Sequence, residues 1–353
     1  MKKNMTKPLM IIAVAILVIV VGFFAFLTLT GRPMDTTEEK TVVVSIEKGS
    51  GTGQIAKVLK EKELIRSELA FKLKTKLSGF DGKYIAGTYA FNQTMTMKSM
   101  MRDLANGKTA GNVFTVIEGQ TIDKVAQQLS DQGIVTKEAF YHEIENGSFD
   151  YPFMALLPKG PTRLEGFLYP NTYEAPLNAT AHDVIDMMLA SFDETITEKY
   201  YDEAEKQGKS LYEVITMASI VEREAAKKEE KPKVASVIAN RLKIDMPLQM
   251  DSIIAYIQKE DKIRATYSDI AVDSAYNPYT NKGLPPGPIC APGKDAIEAA
   301  LYPEDTDYLY FVAGPKLDGT NVYSKTYDEF LVNKAAFDKA YEAYVKANPE
   351  GQK

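Results

Sequence analysis

Residues 41–71, TVVVSIEKGSGTGQIAKVLKEKELIRSELAF, and residues 113–140, VFTVIEGQTIDKVAQQLSDQGIVTKEAF, show one pattern twice, about seventy residues apart. Each begins with a β-branched run that predicts a strand, turns at a glycine, and continues with the apolar spacing of an amphipathic helix. Each then has a short apolar pair and a Ser or Thr that opens another helix. The similarity predicts repeated small β/α units; the alternative is that two common strand–turn–helix units coincide.

An uncharged apolar segment precedes these units. Residues 9–29, LMIIAVAILVIVVGFFAFLTL, are long enough, at a helical rise of about 1.5 Å per residue, to cross a bilayer core. Residues 1–8 contain three lysines, whereas acidic residues prevail in 30–40, so the positive-inside rule predicts a cytoplasmic N-terminus and an extracytoplasmic remainder. The alternative is a cleaved signal peptide, which should have a shorter apolar region and a small-x-small cleavage site.

The composition argues against several classes of function. One cysteine, Cys290, cannot form an internal disulfide, and the two histidines, His142 and His182, lie in unlike segments. This argues against a thiolate or imidazole metal site and against a Ser-His-Asp or Cys-His catalytic pair. The formal net charge of −6 also disfavours nucleic acid as a partner. We therefore expect no metal, no cofactor and no nucleic-acid partner.

The segment 217–226, MASIVEREAA, lies within a predicted buried helix that starts after a capping box formed by Ser210 and Glu213. Glu222 ends the apolar run of this helix, and no cation stands three or four positions away. Low dielectric without a helical ion partner favours the protonated carboxyl group that a general acid requires. The alternative is a structural carboxylate bonded to a distant arginine or backbone amide. The following residues, 227–233 (KKEEKPK), predict a solvated connection.

Seven motifs that follow one another along 165–312 resemble the MltG/YceG family of endolytic murein transglycosylases. In chain order they are EGFLYPNTY, ASIVERE, NRL, LQMDS, YNPYT, GLPPGPI and YLYFV. Seven motifs in the family's order are far more specific than any one of them. With the apolar segment and AGTYAF at 86–91, the resemblance covers most of the chain.

The resemblance implies roles for matched residues. Glu222 is the catalytic residue, which protonates the bond between N-acetylmuramic acid and N-acetylglucosamine and then takes the proton of the sugar's own C6 hydroxyl. A 1,6-anhydro end results, without a water nucleophile. The implied substrate-binding residues are Gln249, Asp251, Tyr276, Asn277, Thr280 and Glu165. Glu165 is either a supporting group or part of the cleft wall.

The sequence predicts an α+β protein with an N-terminal single transmembrane helix. We expect a cytoplasmic tail at 1–8, the helix at 9–29, a linker at 30–40, a small β/α module at 41–110 and a mixed α+β catalytic domain at 111–347. The small module resembles LysM-like carbohydrate-binding units. The expected location is the cell membrane, with the catalytic domain outside, where it would act on newly made peptidoglycan strands and meet cell-wall synthases.

Two other functions stay open at this point. The chain is alternatively an inactive peptidoglycan-binding scaffold of the cell-wall synthesis machinery, although an inactive relative would be free to lose Glu222. It is alternatively a hydrolysing muramidase, with Asp251 as the second carboxylate that such an enzyme needs. The reaction product separates hydrolysis, which leaves a reducing end, from the lytic reaction, which leaves an anhydro end.

Overall fold

A computed structural model of the protein describes residues 6–35, 41–107, 109–260, 266 and 268–348. The chain forms two compact units, one of Met1–Asn112 with Glu174–Asn178, the other of Val113–Tyr173 with Ala179–Lys353. Helices and short two-stranded sheets occur in both, which confirms the predicted mixed α+β class. The functional division at residues 110 and 111 stays a prediction.

The predicted apolar helix is confirmed as α1 (Thr6–Thr30), in which Met10–Thr30 is long and apolar enough to cross a membrane. Most of its described side chains are exposed. Its C-terminal end is different, because Leu27 is buried in the core of the first unit. The backbone amide of Met97 also donates to the carbonyl of Gly31, at 3.3 Å.

The first unit has two strands that enclose two helices, followed by a third helix. These elements are β1 (Thr41–Ile46), α2 (Thr52–Glu61), α3 (Glu68–Leu77), β2 (Gly87–Asn92) and α4 (Met97–Asn106). The strands are antiparallel, with Thr41 opposite Asn92 and Ile46 opposite Gly87. Alternate strand residues and one face of each helix are buried together, which gives this small unit a core of its own. The LysM-like assignment of this module stays a prediction.

The predicted repeat is present in the structure. The same order recurs as β3 (Gly111–Val116), α5 (Ile122–Asp131), α6 (Lys137–Asn146) and β4 (Asn171–Pro176), and β3 pairs with β4. The first turn of each copy contains a glycine with positive φ, 87° at Gly49 and 81° at Gly119. The second helix of each copy has a side-chain cap, since Ser67 accepts from the Ala70 amide and Thr136 from the Ala139 amide. Turn and cap chemistry therefore agree with the repeated strand and helix pattern.

The remaining helices and strands belong to the second unit. They are α7 (Ala181–Thr195), α8 (Glu198–Lys206), α9 (Leu211–Glu224), α10 (Lys231–Lys243), α11 (Asp251–Gln258), α12 (Lys294–Leu301), β5 (Tyr310–Ala313), β6 (Asn321–Ser324) and α13 (Tyr327–Ala347). Helix α9 packs against α8, α10, α11 and α12. It is buried along most of its length, so the residues at its C-terminal end have fixed positions.

The solvated connection predicted at 227–233 is wrong. Lys228–Glu230 form a short 3-10 helix, and α10 begins at Lys231 with Pro232 in its first turn. Proline fits that position because the first amides of a helix have no partner within it. Glu230 and Lys231 are both buried, so the end of this charged run lies inside the protein.

A close approach at Gly166 predicts a measurable stability difference. Gly166 has φ of 86°, and a Cβ there would lie 2.6 Å from Pro288 Cβ and 2.9 Å from Ile215 on α9. Gly133 has φ of 68° with nothing within 4 Å, which makes Gly133→Ala a matched control. Both changes should cost about 1–2 kcal/mol for the left-handed backbone, and Gly166→Ala about 1–3 kcal/mol more for overpacking. Thermal unfolding of the full-length variants tests this, and equal melting temperatures would contradict it.

Candidate active site

Glu222 lies in the last turn of α9, and the capping box fixes where that helix begins. Ser210 Oγ accepts from the Glu213 amide at 3.2 Å, and Glu213 Oε2 accepts from the Ser210 amide at 2.8 Å, as predicted. The helix ends at Glu224, where Ala225 adopts an extended backbone. Because the start is capped and the middle is buried, the position of Glu222 follows from the position of the whole helix.

The carboxylate of Glu222 has no cation at helical spacing in α9, as predicted, but it has a cationic partner from α10. Lys231 Nζ donates to both of its oxygens at 2.9 Å. The backbone amide of Gly293 donates to Oε2 at 3.0 Å. The side chains of Glu222 and Lys231 are each 8% exposed. The partner comes from the first residue of α10, which helical spacing within α9 cannot indicate.

A second carboxylate, Glu118, completes this cluster. It comes from the first turn of the second repeat, and its Oε2 lies 4.0 Å from Lys231 Nζ. A Cβ at Gly293 would meet Glu118 Oε1 at 2.0 Å, so this glycine leaves room for Glu118. Sequence reasoning missed Glu118 and Lys231. Both repeats turn at a glycine, but that pattern does not indicate that Glu118 lies near Lys231.

The proline-rich segment is tied to α9 one turn before Glu222. Ser219 Oγ accepts from the Ile289 amide at 3.0 Å, and the Cys290 thiol donates to the Ser219 carbonyl at 3.2 Å. Burial raises the pKa of the Cys290 thiol well above its ordinary value, so the thiol stays uncharged and unreactive. This contact places Gly293, three residues later, beside Glu222.

Arg223 and Glu224 leave α9 in other directions, because successive residues of a helix do not share a face. Arg223 Nη1 donates to the Gly119 carbonyl at 3.5 Å. Glu224 accepts from the Ser252 amide at 3.4 Å, and burial raises the pKa of its carboxyl group. Glu222 and Glu224 therefore do not act as a pair.

A cavity of about 270 Å³ opens on the side of Arg223 and is lined also by Glu165, Tyr256 and Tyr276. Glu165 is 4% exposed and accepts from the Ile122 amide at 3.1 Å and from the Tyr256 hydroxyl at 3.3 Å. Burial raises the pKa of Glu165 to about 8, against the opposing effect of these hydrogen bonds. The rings of Tyr256 and Tyr276 lie 5.4 Å apart. Aromatic faces beside a buried carboxyl group suit a polar ligand with apolar faces, such as a sugar ring.

The structure brings the other predicted residues together in two adjoining loops. The amide of Gln249 donates to the Pro278 carbonyl at 3.1 Å, and the Tyr279 hydroxyl donates to Asp251 Oδ1 at 2.6 Å. Gln249 and Thr280 are exposed. Asn277 is fully buried, and its amide donates to two backbone carbonyls of its own loop. Its position does not support a direct contact with glycan; in this structure it holds the loop in shape.

The chain is similar in sequence and fold to known proteins. The YceG-like family model matches residues 44–336. The chain belongs to the YceG-like family. It is 35% identical over 333 residues to an endolytic murein transglycosylase of Bacillus subtilis (strain 168). These residues are 90% of this chain and 89% of that protein.

Two further relatives agree. An endolytic murein transglycosylase of Streptococcus pneumoniae (serotype 2, strain D39) is 34% identical over 308 residues, which are 80% of this chain and 56% of that longer protein. A YceG-like protein of known crystal structure from Listeria monocytogenes has 34% identity and a TM-score of 0.58, covering 83% of this chain and 99% of that one.

The charge state of Glu165 predicts how the stability of this YceG-like protein depends on pH. A carboxyl group whose pKa rises from 4.5 to about 8 on folding holds its proton more tightly in the folded state, so stability falls as pH rises between these values. In Glu165→Gln, this fall should flatten. Thermal unfolding from pH 5 to 9 tests it, with Glu145→Gln on the exposed face of α6 as control. An unchanged pH dependence in Glu165→Gln would show that Glu165 is not the cause.

Proposed function

We propose that this chain is an endolytic peptidoglycan lytic transglycosylase. It would cleave the bond between N-acetylmuramic acid and N-acetylglucosamine within nascent strands and leave 1,6-anhydro ends. The observation that carries the proposal is Glu222, a single carboxylate fixed by Lys231 and Gly293 at the end of a buried helix. Its family membership and the printed names of its relatives support the same reaction.

The chemistry needs one carboxyl group that acts twice. Glu222 first protonates the glycosidic oxygen, so that the bond from this oxygen to C1 breaks. It then takes the proton of the C6 hydroxyl while the C6 oxygen bonds to C1. Because the attacking hydroxyl belongs to the substrate, little entropy is lost in bringing it to C1. A hydrolysing glycosidase instead needs a second carboxylate for nucleophile or base.

The cavity is lined by Arg223, the residue that follows Glu222, and supports a site for a sugar. Tyr276 and Tyr256 offer ring faces, and Glu165 offers a carboxyl group that burial keeps largely protonated and able to donate. Gln249 and Thr280 are exposed on the adjoining loops and are available to sugar hydroxyls. We assign Asp251 the bracing role that its bond with Tyr279 supports.

The location proposed for this activity is the outer face of the cell membrane. Helix α1 would anchor the chain in a single pass, with the N-terminus in the cytoplasm. The first unit would act as the LysM-like module and hold glycan, and a groove of about 320 Å³ between the β1–α2 turn and the residues before β2 suits that role. Cleavage beside the membrane would end the elongation of strands that synthases are making.

Product analysis tests the proposal directly. We expect the full-length wild type to produce 1,6-anhydro ends from uncrosslinked glycan strands, and Glu222→Gln to lose at least about 100-fold in rate, because general acid–base catalysis is removed. Mass spectrometry of the products makes the measurement. Glu229→Gln is a matched control, since Glu229 is exposed and two residues before Lys231.

Other products would support the alternatives. Reducing ends, heavier by one water, would contradict the lytic reaction and favour a muramidase, with Asp251→Asn as the next variant. Binding of glycan without cleavage by wild type would favour the scaffold.

A further inference from the structure

Three charged side chains, those of Glu222, Lys231 and Glu118, lie together at the end of α9, with Lys231 between the two carboxylates. Lys231 Nζ donates to both oxygens of Glu222 at 2.9 Å and lies 4.0 Å from Glu118 Oε2. Glu222 is almost fully buried, whereas Glu118 is 54% exposed. One ammonium group thus stands between two carboxylates, one inside the protein and one at its surface.

This arrangement suits only half of the proposed reaction. Glu222 receives three hydrogen bonds, two from Lys231 and one from Gly293. Both oxygens of Glu222 thus accept hydrogen bonds, from one ammonium group and one backbone amide, and this is the geometry of a group that accepts the C6 proton. The first step needs the protonated form at the glycosidic oxygen. For that step, the cation has to move away from Glu222.

The neighbouring charged residues have other partners, whereas Lys231 lies near both Glu222 and Glu118. Arg223, the next residue of α9, donates to the Gly119 carbonyl, and Lys228 pairs with Asp295 at 2.7 Å. Glu230 accepts from the Tyr323 hydroxyl at 2.8 Å and from the Asn321 amide at 3.0 Å. The Cys290 thiol faces the Ser219 carbonyl.

Glu118 is fixed where it can receive this cation. The Gly119 amide donates to the Ala291 carbonyl at 2.9 Å, and the Ala291 amide donates back to the Gln120 carbonyl at 2.8 Å. The left-handed backbone of Gly119 turns the chain at this point. The carboxyl group of Glu118 then lies directly over Gly293, whose amide binds Glu222.

We propose that Lys231 is a positioning residue that alternates between Glu222 and Glu118 during the reaction. The proposal rests on the proposed function and assigns Glu118 to the same site. With glycan bound, Lys231 pairs with Glu118, and Glu222 takes a proton from water and delivers it to the glycosidic oxygen as the bond to C1 breaks. Lys231 then returns to the Glu222 carboxylate, which accepts the C6 proton as the C6 oxygen bonds to C1. Protons balance, because the C6 proton that Glu222 accepts then passes to water, which replaces the proton taken from water at the start and restores the Glu222 carboxylate paired with Lys231.

The test compares Glu118→Gln with the wild type in the full-length protein. With Glu118 neutral, Lys231 stays on Glu222, so kcat should fall about 10- to 100-fold while KM changes little. The decline of kcat at high pH should move to lower pH. Glu118→Asp keeps the charge and should keep most of the activity. Glu229→Gln, which changes an exposed neighbour of like charge, should match the wild type.

Lys231 provides an independent readout. Lys231→Met removes the cation, so the high-pH decline of the remaining activity should move to higher pH, opposite to its movement in Glu118→Gln. Loss of folding cannot produce opposite displacements, which separates the positioning role from a structural one. Lys231→Arg should lie between Lys231→Met and the wild type, because the charge is kept but the geometry is not.

Two results would overturn the proposal. If wild type makes anhydro ends and Glu118→Gln keeps the wild-type kcat and pH profile, Glu118 does not receive the lysine, and the proposed function stands without it. If both variants move the pH profile in the same direction, Lys231 does not alternate. A wild type that makes no anhydro ends would instead remove the proposed function, and this inference with it.

Discussion

Glu222 and Lys231 keep little exposed surface, and each would be costly to bury without the other. Removing one partner of a buried ion pair typically costs about 3–5 kcal/mol, because the other charge is left without compensation. Loss of either partner would therefore weaken the contact between α9 and the start of α10. Glycine at 293 leaves room for the second carboxylate of the site, because a side chain there would meet Glu118.

The two repeats share a scaffold but differ where chemistry is needed. The turn after β1 has Lys48 before its glycine, and the turn after β3 has Glu118 in the equivalent place. The turn after β3 is hydrogen-bonded to Ala291 on both sides, so its carboxylate has a defined neighbour. Both copies use the same kind of turn for folding. Only the second copy places a charged group, Glu118, at the site.

Much of the fold and part of the site could be predicted from the sequence, because local chemistry decides them. The capping box at Ser210, the buried run before Glu222 and the repeated turns all depend on residues a few positions apart. The partner of Glu222 could not be predicted, because composition reports that 227–233 is charged but not which of its residues is buried. The sequence places Pro232 in a predicted solvated connection, whereas it lies in the first turn of α10, next to Lys231.

The position of Asn277 also could not be predicted from the sequence. A polar residue in a family motif suggests contact with substrate, yet a fully buried amide must first satisfy its own hydrogen bonds. The carbonyls of Ile270 and Val272 take both donors of Asn277. The amide of Asn277 therefore holds its own loop, and the same loop carries Tyr276 to the cavity.

The turn at 118 and 119 connects the two halves of the site. Glu118 faces Lys231, while the carbonyl of Gly119 accepts from Arg223, which lines the cavity. Consecutive residues of α9 are thus linked to consecutive residues of one turn, Glu222 through Lys231 and Arg223 directly. One turn therefore contacts both an arginine that lines the cavity and the lysine that pairs with Glu222.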